Sequence, residues 1–148
     1  MLAKSLLLSI LDYADAGYPD LTEDQLDKLE RLQNIAIQFI FCLRKYDHVS
    51  EYRSRLKWLP IRLRRNLHIL SLLYCALFYY SFPTYLSEKF DFLGDPSLLR
   101  SKRYLTLKMP VHKTKFLKNS FTVQAIQLWN ALPVDLKKAP SISAFKKP

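Results

Sequence analysis

Glycine is nearly absent: Gly17 and Gly94 are the only two in 148 residues, against eight prolines. Turns with positive φ, which glycine adopts at no steric cost, are therefore scarce, and proline carries most of the punctuation. A mainly helical chain is expected. Cysteine is scarce as well. Cys42 and Cys75 fall inside apolar helical stretches and read as two buried thiols of a reducing compartment rather than a disulfide. His48, His68 and His112 are isolated from one another and from both cysteines, so no zinc-ligand spacing exists.

Long apolar runs are missing too. The opening Leu2–Leu11 run is far short of the roughly 20 apolar residues that cross a bilayer. Arg64, Arg65 and His68 interrupt the longest later stretch. Lys4 followed by Ala14-Asp15-Ala16 has the outline of a signal peptide, but Asp12 and Asp15 intrude on its apolar core. The expectation is an intracellular protein, cytoplasmic or nuclear, neither secreted nor embedded in a membrane. No phosphate-cradling glycine loop and no HExxH sequence occurs, and Asp47-His48 has no nucleophile or second carboxylate placed with it. Asp47 reads as a helix cap. Catalysis by this chain, a metal, a cofactor and a small-molecule substrate are all unsupported.

What is present is a foldable, basic chain. Hydrophobic residues make up 49% and aromatics 14%, enough for one ordinary domain and its core. The net charge of +10 is unevenly spread. Through Glu30 the acids Asp12, Asp15, Asp20, Glu23, Asp24, Asp27 and Glu30 outnumber Lys4 and Lys28. Beyond Leu98 the only acid is Asp135. An acidic head on a basic body guides polyanions to one face.

Two clusters hold the candidate nucleic-acid contacts. Arg53, Arg55, Lys57, Arg62, Arg64 and Arg65 surround the Trp58-Leu59-Pro60 corner. Arg100, Lys102, Arg103, Lys108, Lys113, Lys115 and Lys118 follow, with Tyr104 and Phe116 interleaved. Cations on such a segment track a phosphate backbone, and nearby aromatics stack on unpaired bases. The competing reading makes Tyr104 and Phe116 core residues. It is favoured for the aromatics, and the binding role for the cations.

Periodicity supports a small helical bundle over 1–86, a basic loop or short-strand segment over 87–118 and short helices over 119–148. Leu2, Leu6, Ile10 and Tyr13 line one side of a first helix, stopped by Gly17-Tyr18-Pro19. Thr22 and Gln25 form a capping box for a second, whose apolar stripe is Leu29, Leu32, Ala36, Phe39 and Leu43, closed by Arg44-Lys45. Asp47 and Ser50 cap a short helix over Tyr52–Trp58. A third long helix starts at Pro60 and ends at Pro83, so apolar in its second half that neighbours or a partner must cover it. Tyr85-Leu86 fits one helical turn, and 91–99 reads as loop. The alternation over 104–109 allows a short strand or hairpin. Asn119 or Ser120 caps a helix that Pro133 stops, and Ser141 caps a last one carrying Ile142 and Phe145. That helix would end before completing two turns, so a truncated chain is expected. Trp58 and Trp129, each at a helix boundary, are expected to pack with the indole N–H bonded to a carbonyl.

No general rule of helix formation demands the ordered set Leu32-Gln33-Asn34, Phe39-Ile40, Asp47-His48-Val49-Ser50, Trp58-Leu59-Pro60, Arg64-Arg65, Pro83-Thr84-Tyr85-Leu86, Arg100-Ser101 and Trp129-Asn130-Ala131-Leu132-Pro133. With Leu6–Tyr13 before it, this order resembles the region that follows the polymerase core in reverse transcriptases of jockey-like non-LTR retrotransposons. Gln38 stands where that family usually has arginine. Tyr13-Ala14-Asp15 begins like a Tyr-Ala-Asp-Asp palm motif, but Ala16 occupies the place of the second carboxylate that two-metal chemistry needs. The resemblance implies a helical accessory module downstream of the palm that overlaps or follows the thumb, lacking the catalytic palm of the RNA-directed DNA polymerase. It implies the polymerase core of the same element as partner, and contact with RNA, DNA or an RNA–DNA hybrid. The alternatives are a helical protein-interaction module and a mobile-element relic with no present role.

Overall fold

The computed structural model describes residues 2–13, 15, 21–94 and 105–146. It is mainly helical: α1 (Leu2–Asp12), α2 (Glu23–Ile40), α3 (Ser50–Leu56), α4 (Ile61–Phe78), α5 (Thr84–Ser87), α6 (Lys115–Lys118), α7 (Phe121–Ala131), α8 (Val134–Lys137) and α9 (Ile142–Phe145). The chain divides into two compact units, Met1–Arg65 and Asn66–Pro148, with the boundary inside α4. No helix among the described residues is long and apolar enough to cross a membrane.

In the first unit, α2 starts as its sequence dictates. The Thr22 hydroxyl accepts from Gln25 N while Gln25 Oε1 accepts from Thr22 N at 2.8 Å, closing the capping box. The inward faces differ from the expected ones. Leu8 of α1 is buried with Ala36, Ile37 and Trp58, and Leu11, Ile40, Phe41, Val49, Tyr52 and Leu56 pack around them. Leu6, Ile10 and Tyr13 instead face outward, as do Leu32 and Phe39 of α2; the side chain of Leu2 lies outside the described residues. Both helices carry apolar residues on more than one side, so spacing alone selects the wrong stripe.

The end of α2 is also displaced. Cys42 takes φ 51°, the left-handed conformation that usually falls to glycine, and ends the helix at Ile40. Arg44-Lys45 therefore lie beyond the last turn, and Cys42 is exposed while Cys75 is half-buried, both as free thiols. Asp47 caps no helix: its Oδ2 accepts from Arg44 N at 2.8 Å and closes the following turn. α3 begins after Val49 with no side-chain cap.

Links distant in sequence hold this unit together. Gln33 Nε2 donates to Leu59 O at 3.0 Å, tying α2 to the Trp58-Leu59-Pro60 corner, and Asn34 accepts from Arg53 of α3. Trp58 is buried there, but its indole N–H has no hydrogen-bond partner among the described residues, contrary to expectation.

The second unit builds its core on α4 and α7. Ile69 and Leu73 are buried on α4; Val123, Ala125, Ile126 and Trp129 are buried on α7. Phe145 of α9 stacks on Tyr74 with ring centres 5.0 Å apart and on Trp129 at 6.2 Å, and Tyr74 Oη donates to Ala139 O at 2.7 Å. The apolar second half of α4 is thus largely covered by its own chain. Ser120 and Ser141 cap α7 and α9 as their sequence predicts. Leu132 leaves α7 in an extended conformation, as a residue before proline must.

The expected strand reduces to one antiparallel bridge, Phe92 to Leu107, with Leu93 N donating to Thr106 O and Lys108 N to Asp91 O, both at 2.8 Å. Its second support comes from α7. Trp129 Nε1 donates to Leu105 O at 2.8 Å; Asn130 Oδ1 accepts from Leu107 N at 2.9 Å, and Asn130 Nδ2 donates to Leu107 O at 3.0 Å. Two consecutive side chains thereby satisfy backbone groups that a neighbouring strand would otherwise satisfy.

Candidate nucleic-acid interface

The basic residues separate into two kinds. Around the Trp58-Leu59-Pro60 corner the guanidinium groups are engaged by their own chain. Arg62 at the start of α4 bonds Glu23 and Asp27 of α2, the latter at 2.8 Å. Arg64 forms a two-pronged pair with Asp12 of α1, each carboxylate oxygen accepting from one nitrogen. These hydrogen bonds, chiefly to Glu23 for Arg62 and to Asp12 for Arg64, push both guanidinium pKa values above their ordinary range. Arg53 reaches Asn34 and lies 3.6 Å from Glu30, and Arg55 pairs with Glu51 at 2.6 Å one turn before it. Arg65 is buried, and desolvation lowers its pKa while Asp15 opposes the shift. Lys57 alone of this cluster is exposed without an ion pair among the described residues; it ends α3 at φ 55°. Asp12, Glu23, Asp27 and Glu30 of the amino-terminal head therefore pair with these arginines, and the corner offers little free positive charge.

The second cluster is different. Arg100, Lys102, Arg103 and Tyr104 lie outside the described residues. Lys108, Lys113, Lys115 and Lys118 are all exposed, and none has an ion-pair partner among the described residues. Their backbone is held firmly. Leu107 is clamped by Asn130 immediately before Lys108. Thr114 caps α6, its Oγ1 accepting from Leu117 N at 3.2 Å, and α6 packs against α7. Phe116 is 74% exposed, and Val111 still more so. The core reading favoured for Phe116 is thus corrected. α6 is a single turn that buries none of its four residues, which leaves this ring in water.

No family model, curated protein or solved structure matches this chain. The functional reading therefore stands on these side chains and on the ordered motifs. Those motifs have acquired structural work: Gln33, Asn34, Trp129 and Asn130 each bond a segment remote in sequence. They tie together segments of the fold that are remote in sequence.

One further feature is not apparent from the sequence. A groove of about 410 Å³ runs between α1 and α2, lined by Ile10, Leu11, Leu32, Ile35, Phe39 and Trp58 among others. Its signal was present in Leu32, Ile35 and Phe39, which recur at helical spacing on the side of α2 that flanks the buried Ala36.

Proposed function

We propose that the chain is an accessory region of a non-LTR retrotransposon reverse transcriptase, from the part that follows the palm, and that it contacts nucleic acid through Lys108–Lys118. The observation that carries this reading is the contrast between paired and free cations. Arginines that meet acids of their own chain serve stability. Four exposed lysines with no ion-pair partner among the described residues, on a braced backbone, present a field that a polyanion neutralises. The order of the motifs supports the origin in a reverse transcriptase. In this reading the chain supplies binding and positioning, and the polymerase chemistry resides in the core of the same element.

Equilibrium binding of the full chain to labelled RNA, DNA and RNA–DNA hybrid over a series of salt concentrations tests this. Four phosphate contacts predict a log–log slope of about −3 to −4. Affinity that ignores salt, or no binding in dilute buffer, would overturn it. A second reading is favoured by the groove between α1 and α2: docking of the polymerase core through Leu32, Ile35 and Phe39. Apolar docking responds little to salt, so the same titration with that core in place of nucleic acid separates the two.

A further inference from the structure

We infer that the nucleic acid held by Lys108–Lys118 is single-stranded, with an unpaired base stacked on Phe116. The inference rests on the phosphate-contact reading above and adds the kind of strand to it.

A lysine array by itself leaves the kind of strand open. Ammonium groups recognise phosphates in duplexes and single strands alike, so Lys108, Lys113, Lys115 and Lys118 select neither. Phe116 does. Its ring has no polar atom, so it offers nothing to a phosphate or to the hydrogen-bonding edges of paired bases. What it offers is an apolar face, and the partner that face fits is the flat surface of a base. In a duplex both faces of each base are already stacked on neighbours. In a single strand they are available, and every base has one.

The position of the ring supports that use. Lys115 and Lys118 lie three residues apart and share one side of α6. Phe116 sits one residue further round the same turn, about 100° from Lys115, so an exposed apolar ring and two exposed ammonium groups are presented by a single helical turn. Lys113 continues the charge on the amino-terminal side, close in sequence to the exposed Val111. The turn is set before any ligand arrives. Lys118 N donates to Thr114 O and Asn119 N to Lys115 O, both at 3.1 Å, and Thr114 Oγ1 accepts from Leu117 N. A braced turn loses little backbone freedom on binding, so more of the stacking energy appears as affinity. The fold itself makes little use of Phe116, whose ring contacts no other aromatic among the described residues.

The test compares the full chain with its Phe116→Ala and Phe116→Tyr variants, using labelled oligouridine and a blunt RNA duplex of equal length at one salt concentration. Because Phe116 is exposed, both variants should melt like the parent, and that is checked first. The expected result is tighter binding of the single strand than of the duplex. Phe116→Ala should weaken single-strand binding about 5- to 150-fold, the range for losing one stacked base, with duplex binding unchanged. Phe116→Tyr should keep single-strand affinity. Equal affinity for both ligands, or a Phe116→Ala variant that binds oligouridine like the parent, overturns the single-strand inference and leaves the phosphate contacts standing. Failure of the parent to bind either ligand at low salt overturns both.

Discussion

Replacing Asn130 by alanine should unfasten the basic segment from α7, and the cost follows from the bonds removed. The amide makes two, at 2.9 and 3.0 Å, to the N–H and C=O of Leu107, a residue 2% exposed. Each bond contributes about 1 kcal/mol net, and a buried group left without a partner costs about 1–3 kcal/mol. Water can reach part of the vacated space, so a loss of about 2–3 kcal/mol is expected for Asn130→Ala. Each unit contains one tryptophan, Trp58 in the first and Trp129 in the second. In a Trp58→Phe background, fluorescence during urea unfolding therefore reports the second unit alone. Asn119→Ala, whose side chain makes no bond among the described residues, should change stability by under about 0.5 kcal/mol. An Asn130→Ala variant as stable as that control would refute the clamp and, with it, the reason Lys108 is held in place.

Three other outcomes follow from the same geometry. Arg64→Met strands the Asp12 carboxylate in a pair whose side chains are 21% and 25% exposed, and should cost about 1–2 kcal/mol in urea unfolding; Arg55→Met, from a pair 62% and 69% exposed, should cost under about 0.5 kcal/mol. Ile37→Ala should cost about 2–5 kcal/mol, whereas Phe39→Ser, at a side chain 84% exposed, should cost almost nothing, which checks the corrected inner face of α2. Lys137 is buried, with its ammonium 3.4 Å from Asn130 O, and desolvation lowers its pKa below 10.5. Between the folded value and 10.5 the unfolded chain binds more protons, so the parent gains stability as pH rises through that window. Lys137→Met lacks this dependence; its stability advantage over the parent should shrink as pH approaches 10.5, measured as paired urea midpoints.

The parts of the fold that were legible are those with local causes. Thr22 with Gln25, Ser120 and Ser141 announce helix starts because a short side chain beside the backbone satisfies N–H groups three residues on. Pro133 announces a stop because its ring excludes a helical residue before it. The inner faces of α1 and α2 were not legible. Leu6, Leu8, Ile10 and Leu11 are all apolar, and only tertiary packing decides that Leu8 goes in and Ile10 out. The end of α2 was hidden for another reason: Cys42 adopts a positive φ without the glycine that would signal it.

The candidate site divides along the same line. A run of lysines is visible in one dimension, but whether a cation is free depends on acids elsewhere in the chain. Arg62 meets Glu23 and Asp27, and Arg64 meets Asp12. No spacing rule forecasts pairings that far apart. Phe116 illustrates the converse, since an aromatic amid cations reads equally well as core until its exposure is known.

Whether the lysine segment on the second unit, rather than the arginine corner on the first, meets nucleic acid can be read out directly. Ultraviolet cross-linking of the full chain to single-stranded oligouridine, followed by peptide mapping, reports which residues touch the bases. The dominant adduct should fall within Lys108–Lys118 and be abolished when Lys108, Lys113, Lys115 and Lys118 are all changed to glutamine. Adducts confined to peptides from 53–65, with the lysine variant cross-linking as well as the parent, would contradict the assignment.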